Sequence, residues 1–312
     1  MRVLVTGASG FVGSWVTRRL IQEGEKVAII VRPSSDLWRL EPLDPNIVRI
    51  PGSLESIHLV AEDIRRFDPD AVFHFAWTGG NSAKFNDDPA QVYANVPGSL
   101  ELFRIAAEAG VKTFINAGSC VEYGRYNIPV RETDPVSPTS LYGVAKHAVE
   151  ELFLGMGSQF GIRVASPRLF WAYGPGDVES RLIPALTRKL LAGERHSMTP
   201  GTQTWDYTYI TDVVDALIRI AKTPQAEGIL NIGSGEPRSL REVAEQLREL
   251  TGRRAEIGFG EIPFSPTQVM HLQADIARIN ALTGWGPQVS LEEGLRRTVA
   301  WHQQGQHSLP LE

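Results

Sequence analysis

The sequence predicts an α/β fold: a doubly wound parallel sheet with a smaller, interleaved C-terminal lobe. Three observations lead there. Short β-branched runs alternate with longer helical stretches through the first half, the runs of strand length are apolar throughout, and the first of them leads directly into a glycine-rich turn. Unbroken apolar runs mark strands covered on both faces, and their alternation with helices marks βαβ units.

In chain order, residues 3–5, 27–31, 47–50, 71–75, 113–116 and 163–167 read as strands. Stretches such as 12–22 and 100–109 carry helical spacing between them. After Gly174-Pro175-Gly176 the rhythm weakens. Helices are expected over 181–193 and 212–223, a Gly- and aromatic-rich stretch spans 199–209, and a short strand covers 229–232. The segment 239–251 opens with Ser239 three residues before Glu242, the spacing of a capping box. The chain therefore divides into an α/β domain over 1–174, which the glycine loop described below marks as dinucleotide-binding, and, over 175–312, a lobe expected to be mainly substrate-binding, with some segments returning to the main sheet.

Composition bounds the function. With 312 residues and 42% hydrophobic side chains, the chain can close a substantial core. A net charge of −5 argues against a general nucleic-acid binder, which relies on clustered Lys and Arg. The single cysteine, Cys120, permits no intramolecular disulfide and fits a reducing cytoplasm. Met1 is followed at once by a core strand, so no secretory leader is expected, and no apolar run approaches the ~20 residues that span a bilayer. The seven histidines show no metal-ligand spacing, and His74 reads as a packed, hydrogen-bonded residue. Glu150-Glu151 reads as a solvated helix face.

Val3-Leu4-Val5-Thr6 runs into Gly7-Ala8-Ser9-Gly10-Phe11-Val12-Gly13. Gly7 permits the tight turn, Gly10 allows backbone amides to approach a pyrophosphate, and Gly13 lets the following helix pack on the strand. The positive end of that helix then faces the phosphates. This is the signature of a Rossmann domain, with Gly7, Ser9, Gly10, Phe11 and Val12 as cofactor-binding candidates. An acid at the end of the second strand would favour NAD(H); here Arg32 stands there, with Ser34 and Ser35 following. A guanidinium suits a 2′-phosphate, so NADP(H) is favoured and NAD(H) stays possible.

Tyr142 and Lys146 are four residues apart, on one face of a helix. A neighbouring ammonium, with the positive charge of an oxidised cofactor, is expected to lower the phenol's pKa into a useful range. Ser119 ends a strand, where open α/β sheets place their chemistry. Ser119 would orient a substrate carbonyl or alcohol, Tyr142 would pass the proton, and hydride would move between substrate carbon and nicotinamide.

With these residues, the chain resembles the extended short-chain dehydrogenases/reductases, the NAD-dependent epimerase/dehydratase family that mostly handles nucleotide sugars. The likeness takes in the glycine loop, Phe73-His74-Phe75-Ala76, Asn95, Ser119 before Glu122-Tyr123-Gly124, the Tyr142/Lys146 pair, and Arg168 through Tyr173-Gly174-Pro175. It continues through residues 201–212 and Thr283-Gly284-Trp285-Gly286-Pro287. The resemblance implies that Lys146 also binds the nicotinamide ribose, that Leu54 lies beside the adenine, and that Ala76, Asn95 and Pro167 belong to the cofactor site. It also implies a homodimer, formed through the helix bearing the Tyr–Lys pair.

The same resemblance narrows the reaction. Dehydratase members carry an Asp–Glu pair after the active-site Ser/Thr; here Cys120 and Val121 occupy those positions, and Glu122 comes one residue later. The expectation is an NADPH-dependent reductase acting on a keto group, at C4, of a nucleoside-diphosphate deoxysugar. The alternatives are an NAD-dependent 4-epimerase and, in a different class, a non-catalytic NADP-binding sensor. Many relatives have Asn where Trp171 stands, Arg where Trp205 stands, and another Arg near residues 265–268. Substrate contact is expected instead from Trp171, Trp205, Arg181 and Tyr123, the last facing substrate or wedging its loop.

Overall fold

The computed structural model describes residues 1–79, 85–253, 255–265, 268–305 and 308–310. The first half runs β1 (Arg2–Thr6), α1 (Phe11–Gln22), β2 (Lys26–Val31), β3 (Ile47–Pro51), α2 (Ala61–Phe67) and β4 (Ala71–His74). It continues with α3 (Val96–Glu108), β5 (Thr113–Asn116), β6 (Gly118–Ser119), α4 (Leu141–Phe160) and β7 (Arg163–Leu169). The second half holds β8 (Trp171–Tyr173), α5 (Leu182–Ala192), β9 (His196–Met198), β10 (Thr204–Tyr209), α6 (Ile210–Lys222) and β11 (Gly228–Ile232). Last come β12 (Pro237–Ser239), α7 (Leu240–Leu250), β13 (Ile257–Phe259), β14 (His271–Leu272), α8 (Ala277–Thr283) and α9 (Leu291–Gln303).

The main sheet is parallel, in the order β3-β2-β1-β4-β5-β7-β11, with β6 beside β7. Its strands alternate between two cores. Val3, Val5, Val27, Ile29 and Phe73 pack with Trp15 and Val16 of α1 and Val213 and Leu217 of α6. Leu4, Ala28, Ile30 and Val72 face the opposite side with Phe103 of α3 and Phe153 of α4. There Phe103, Phe114 and Phe153 form an aromatic cluster with ring centroids 4.9 to 5.1 Å apart. Two buried faces are why these strands read as continuous apolar runs.

The seventh strand extends two residues beyond the expected 163–167. β5 pairs with residues 163–165 and β6 with 168–169, so Pro167 falls in the interruption, where a residue without an N–H is tolerated. From the second half, β11 returns to the main sheet beside β7. The remaining strands form a small sheet of β12-β10-β14 with β8 on β10, and a β13–β9 pair. The capping box is realised: Ser239 Oγ accepts from Glu242 N at 3.1 Å, and Glu242 accepts from Ser239 N at 2.7 Å. Among the described residues, no helix is long and apolar enough to cross a membrane.

Candidate active site

The strand order reverses between β1 and β4, and ligands of open parallel sheets bind in the crevice at such a point. Here a cleft of about 470 Å³ runs across the carboxyl ends of β1, β2, β3 and β4. Its wall begins with Thr6, Gly7, Ser9 and Gly10. Gly7 turns with φ +70°, and a Cβ there would lie 2.6 Å from the Ala76 amide nitrogen. A Cβ on Gly13 would sit 2.2 Å from the Gly7 carbonyl oxygen, so only glycine lets α1 approach this closely. Gly10 caps α1 without a side chain, leaving the first-turn amides without a side-chain partner. A cradle of glycines at a helix N-terminus fits the diphosphate of a dinucleotide.

Leu54 and Ala76 line the cleft, as does Arg32, exposed at the end of β2. Other expected contacts stand differently. Ser34 is exposed and outside the lining; the turn closed by Ser35 N on Arg32 O brings in Ser35 instead. Phe11 is buried in the core and Val12 is half-buried against it, so what they offer the cleft is the backbone of the first helical turn. Asn95 is fully buried: its Oδ1 accepts from Thr78 N at 2.6 Å and its Nδ2 donates to Thr78 O at 3.1 Å. It braces the cleft wall rather than lining it. Pro167 is buried within β7, also outside the lining. Trp77, Thr78 and Glu55 do line it, with Thr78 Oγ1 donating to Glu55 at 2.7 Å. The sequence reading missed these three, although Trp77 and Thr78 directly follow Phe75-Ala76.

Ser119 ends β6 and caps the short 3-10 turn Cys120–Glu122. Its side chain acts on the Tyr142 phenol, favouring the phenolate, so the two groups are neighbours. Tyr142 lies in the first turn of α4 between Phe85, at a ring separation of 4.7 Å, and Trp77, at 6.0 Å. Burial pushes the phenol up to about 12, against the pull of Ser119 and the Arg181 charge. The expected lowering by Lys146 is therefore not found. The Lys146 ammonium is buried, donates to Ala117 O at 3.0 Å, and lies 3.8 Å over the Trp77 ring but 6.0 Å from that of Tyr142. Burial also pushes Lys146 down to about 8.

Behind these groups lies a charged network that the sequence reading did not find. Glu122 Oε1 accepts from Ser119 N at 2.6 Å, and its Oε2 pairs with Arg168 Nε at 3.2 Å. Arg168 also pairs with Glu150, whose side chain has no exposed surface, so the expected solvated face holds only for Glu151. Arg168 comes from β7, far along the chain, which is why helix spacing alone made Glu150 look exposed. Among the described residues, Glu122, His147 and Glu150 are the cluster that could gather around an ion, and the Arg168 guanidinium already engages both carboxylates. His74 is buried and hydrogen-bonded on both ring nitrogens, to Thr6 at 2.7 Å and Ser99 at 3.0 Å, as expected.

On the lobe side, Trp171 of β8 and Trp205 of β10 stack with centroids 4.4 Å apart, both half-buried. Trp205 Nε1 donates to Val269 O at 2.9 Å. Arg181 lies 5.7 Å over the Trp171 ring and pairs with Asp177 at 3.4 Å. Its charge acts on both the Tyr142 phenol and the Cys120 thiol. Tyr123 does not: it is fully buried, donates to Asn231 Oδ1 at 2.8 Å and stacks under Arg168 at 4.3 Å, which makes it the wedge of its loop. The Cys120 thiol is pushed up to about 12 by burial and is no acid–base pair member at neutral pH. Of the stretch 265–268, residues 266 and 267 lie outside the described residues.

A glycine-cradled cleft at the switch point of a parallel sheet, with Tyr142 and Lys146 against its Trp77 wall though outside its lining and Ser119 beside the phenol, defines an oxidoreductase-type enzyme of the short-chain dehydrogenase/reductase kind. Its sequence from residue 3 to 233 matches the NAD dependent epimerase/dehydratase family, and the chain belongs to that family. It is 29% identical to a UDP-glucuronate 4-epimerase of Thermodesulfobacterium geofontis, over 96% of this chain and 95% of that one. The structure superposes on the UDP-glucose 4-epimerase of Thermotoga maritima, solved with UDP-glucose, with a TM-score of 0.89 and 29% identity, covering 97% and 99% of the two chains. The Thermus thermophilus UDP-glucose 4-epimerase, solved with NAD, gives 0.86 and 26%, covering 98% and 99%.

Proposed function

We propose that the protein interconverts C4 epimers of a nucleoside-diphosphate sugar, with a retained NAD and with Tyr142 as general acid and base. One observation carries this reading: Ser119 and Tyr142 are neighbours, one helical turn from Lys146, and Tyr142 and Lys146 both stand against Trp77, which lines the glycine-walled cleft. The named 4-epimerase relatives, one of them solved with NAD, support epimerisation over net reduction. Without an acid at Cys120 or Val121, the site has no second proton carrier there for elimination of water.

When bound, the oxidised dinucleotide supplies a hydride acceptor and a positive charge beside the phenol. Ser119 holds the sugar's C4 oxygen by a hydrogen bond. Tyr142 takes the proton from that oxygen as it becomes a carbonyl, and returns it once the sugar has presented its other face. Burial keeps the phenol protonated, so it arrives holding its proton, and the positive charge that a bound oxidised dinucleotide would bring is what would favour the phenolate. Arg181 and the Trp171–Trp205 pair present a cation and an aromatic platform for the diphosphate and sugar.

A second reading, reduction of a 4-keto deoxysugar by NADPH, rests on Arg32 in the cleft lining. We assign the active form as a homodimer, supported by the exposed Leu141, Val144 and Leu152 sharing one face of α4. We infer a cytoplasmic location, which a chain with one buried, unbridged cysteine fits.

The test is to incubate the protein with UDP-glucose, UDP-glucuronate and UDP-N-acetylglucosamine and to follow the sugar protons by NMR. The C4 epimer is expected without net accumulation of NADH, and Tyr142→Phe is expected to lower the rate about 100-fold or more while leaving cofactor affinity in place. Absence of epimer, with NADPH consumed stoichiometrically by a 4-keto sugar, would establish the reductase instead.

A further inference from the structure

We propose that Glu122 is a positioning residue: its carboxylate, shared between the Ser119 amide and Arg168, fixes the serine turn against α4 and balances the buried charge of Lys146. This rests on the reading of Ser119, Tyr142 and Lys146 as the reacting trio. The connection is continuous. Glu122 accepts from Ser119 N at 2.6 Å and from Arg168 Nε at 3.2 Å, and Arg168 Nε lies 3.2 Å from Glu150 as well. Glu150 follows Lys146 by four residues, one turn along the helix that carries Tyr142. The side chains of Glu122, Arg168 and Glu150 are at most 1% exposed. The serine turn and the Tyr–Lys helix are thus tied together through β7.

Stability alone is a poor reason for such a bridge. Buried ion pairs gain little over well-packed apolar groups, because desolvation offsets their attraction. What an apolar replacement could not do is accept from the Ser119 amide and place negative charge beside a buried ammonium. Two carboxylates, Glu122 from the turn after β6 and Glu150 from α4, support the Lys146 charge; His74 of β4 feels the same ammonium. Glu122 in turn faces Glu150, Arg168 and Lys146, and its charge reaches Tyr142 and Cys120. His147 stands 3.6 Å from Glu150. Burial raises the Glu122 carboxyl and lowers the Lys146 ammonium, and against that burial each charge favours the charged form of the other.

Glu122→Gln tests this, because the amide keeps the shape but must turn its NH2 toward one of two donors. The chain has six lysines, which makes a lysine-selective NMR titration of Lys146 tractable. In the variant, Lys146 is expected to titrate at lower pH than in the parent protein. Turnover should fall roughly tenfold or more with KM nearly unchanged. A structural role alone would lower the melting temperature and leave the Lys146 titration where it was. A folded variant with parental titration and turnover overturns the proposal. Should the variant not fold, Glu122→Asp, which keeps the charge but shortens the reach to the Ser119 amide, is read instead: lowered turnover with KM nearly unchanged supports the proposal, and parental turnover overturns it. The titration needs no substrate, so its failure is separable from failure of the epimerase reading.

Discussion

His74 shows how a single buried group makes stability depend on pH. Burial, then the Lys146 charge, pushes it from 6.5 down to about 3. Between those values the unfolded chain binds a proton that the native protein refuses, so stability is complete above 6.5 and is lost as pH falls toward 3. Glu122 acts in the opposite sense. Its carboxyl is raised to about 8, so its contribution is largest below its ordinary value and declines as pH rises through 8. Urea unfolding at several pH values should give His74→Gln a shallower acid loss than the parent protein between 6.5 and 3. Parallel curves would mean that the imidazole is not held neutral. Among single residues, Ser119, Tyr142 and Lys146 were legible because their chemistry appears in local spacing. Glu122 and Glu150 were not, since what buries them is an arginine 46 and 18 residues away.

At the scale of elements, α4 carries most of the site, and its start is set by one side chain. Ser140 Oγ accepts from Gly143 N at 3.2 Å and satisfies a first-turn amide next to Tyr142. Ser140→Ala should cost about 1 kcal/mol of stability. Because the freed turn holds the phenol, turnover should fall too, and Ser140→Asp should restore both; a melt and a rate measured on each variant check this. An alanine variant with unchanged melting would mean that packing, not the cap, fixes the helix start. Strands and helices were readable where period and length agreed, as in β1, α1 and the capping box at Ser239. The split of β5 from β6 was hidden, because it depends on pairing with β7, and pairing leaves no mark on one strand's own pattern.

The cleft belongs to the whole molecule, since only the assembled sheet brings the ends of β1 to β4 together, and its cofactor preference is set across that assembly. Arg32 at the end of β2 was read alone as a sign of NADP(H). The fold puts Glu55, from after β3, in the same lining, and the Arg32 charge acts on its carboxylate. A 2′-phosphate entering there would gain attraction from Arg32 and meet repulsion from Glu55, so the guanidinium's preference for the phosphate is opposed. Glu55 was invisible to a reading confined to the second strand, because sequence places it 23 residues from Arg32. Fluorescence titration with NADH and NADPH separates the two charges. Glu55→Gln should raise NADPH affinity relative to NADH by about five- to tenfold, roughly 1 to 1.4 kcal/mol, and Arg32→Asp should move the ratio toward NADH by a similar factor. If neither substitution moves the ratio, neither side chain contacts the adenosine ribose, and preference must come from elsewhere along the cleft.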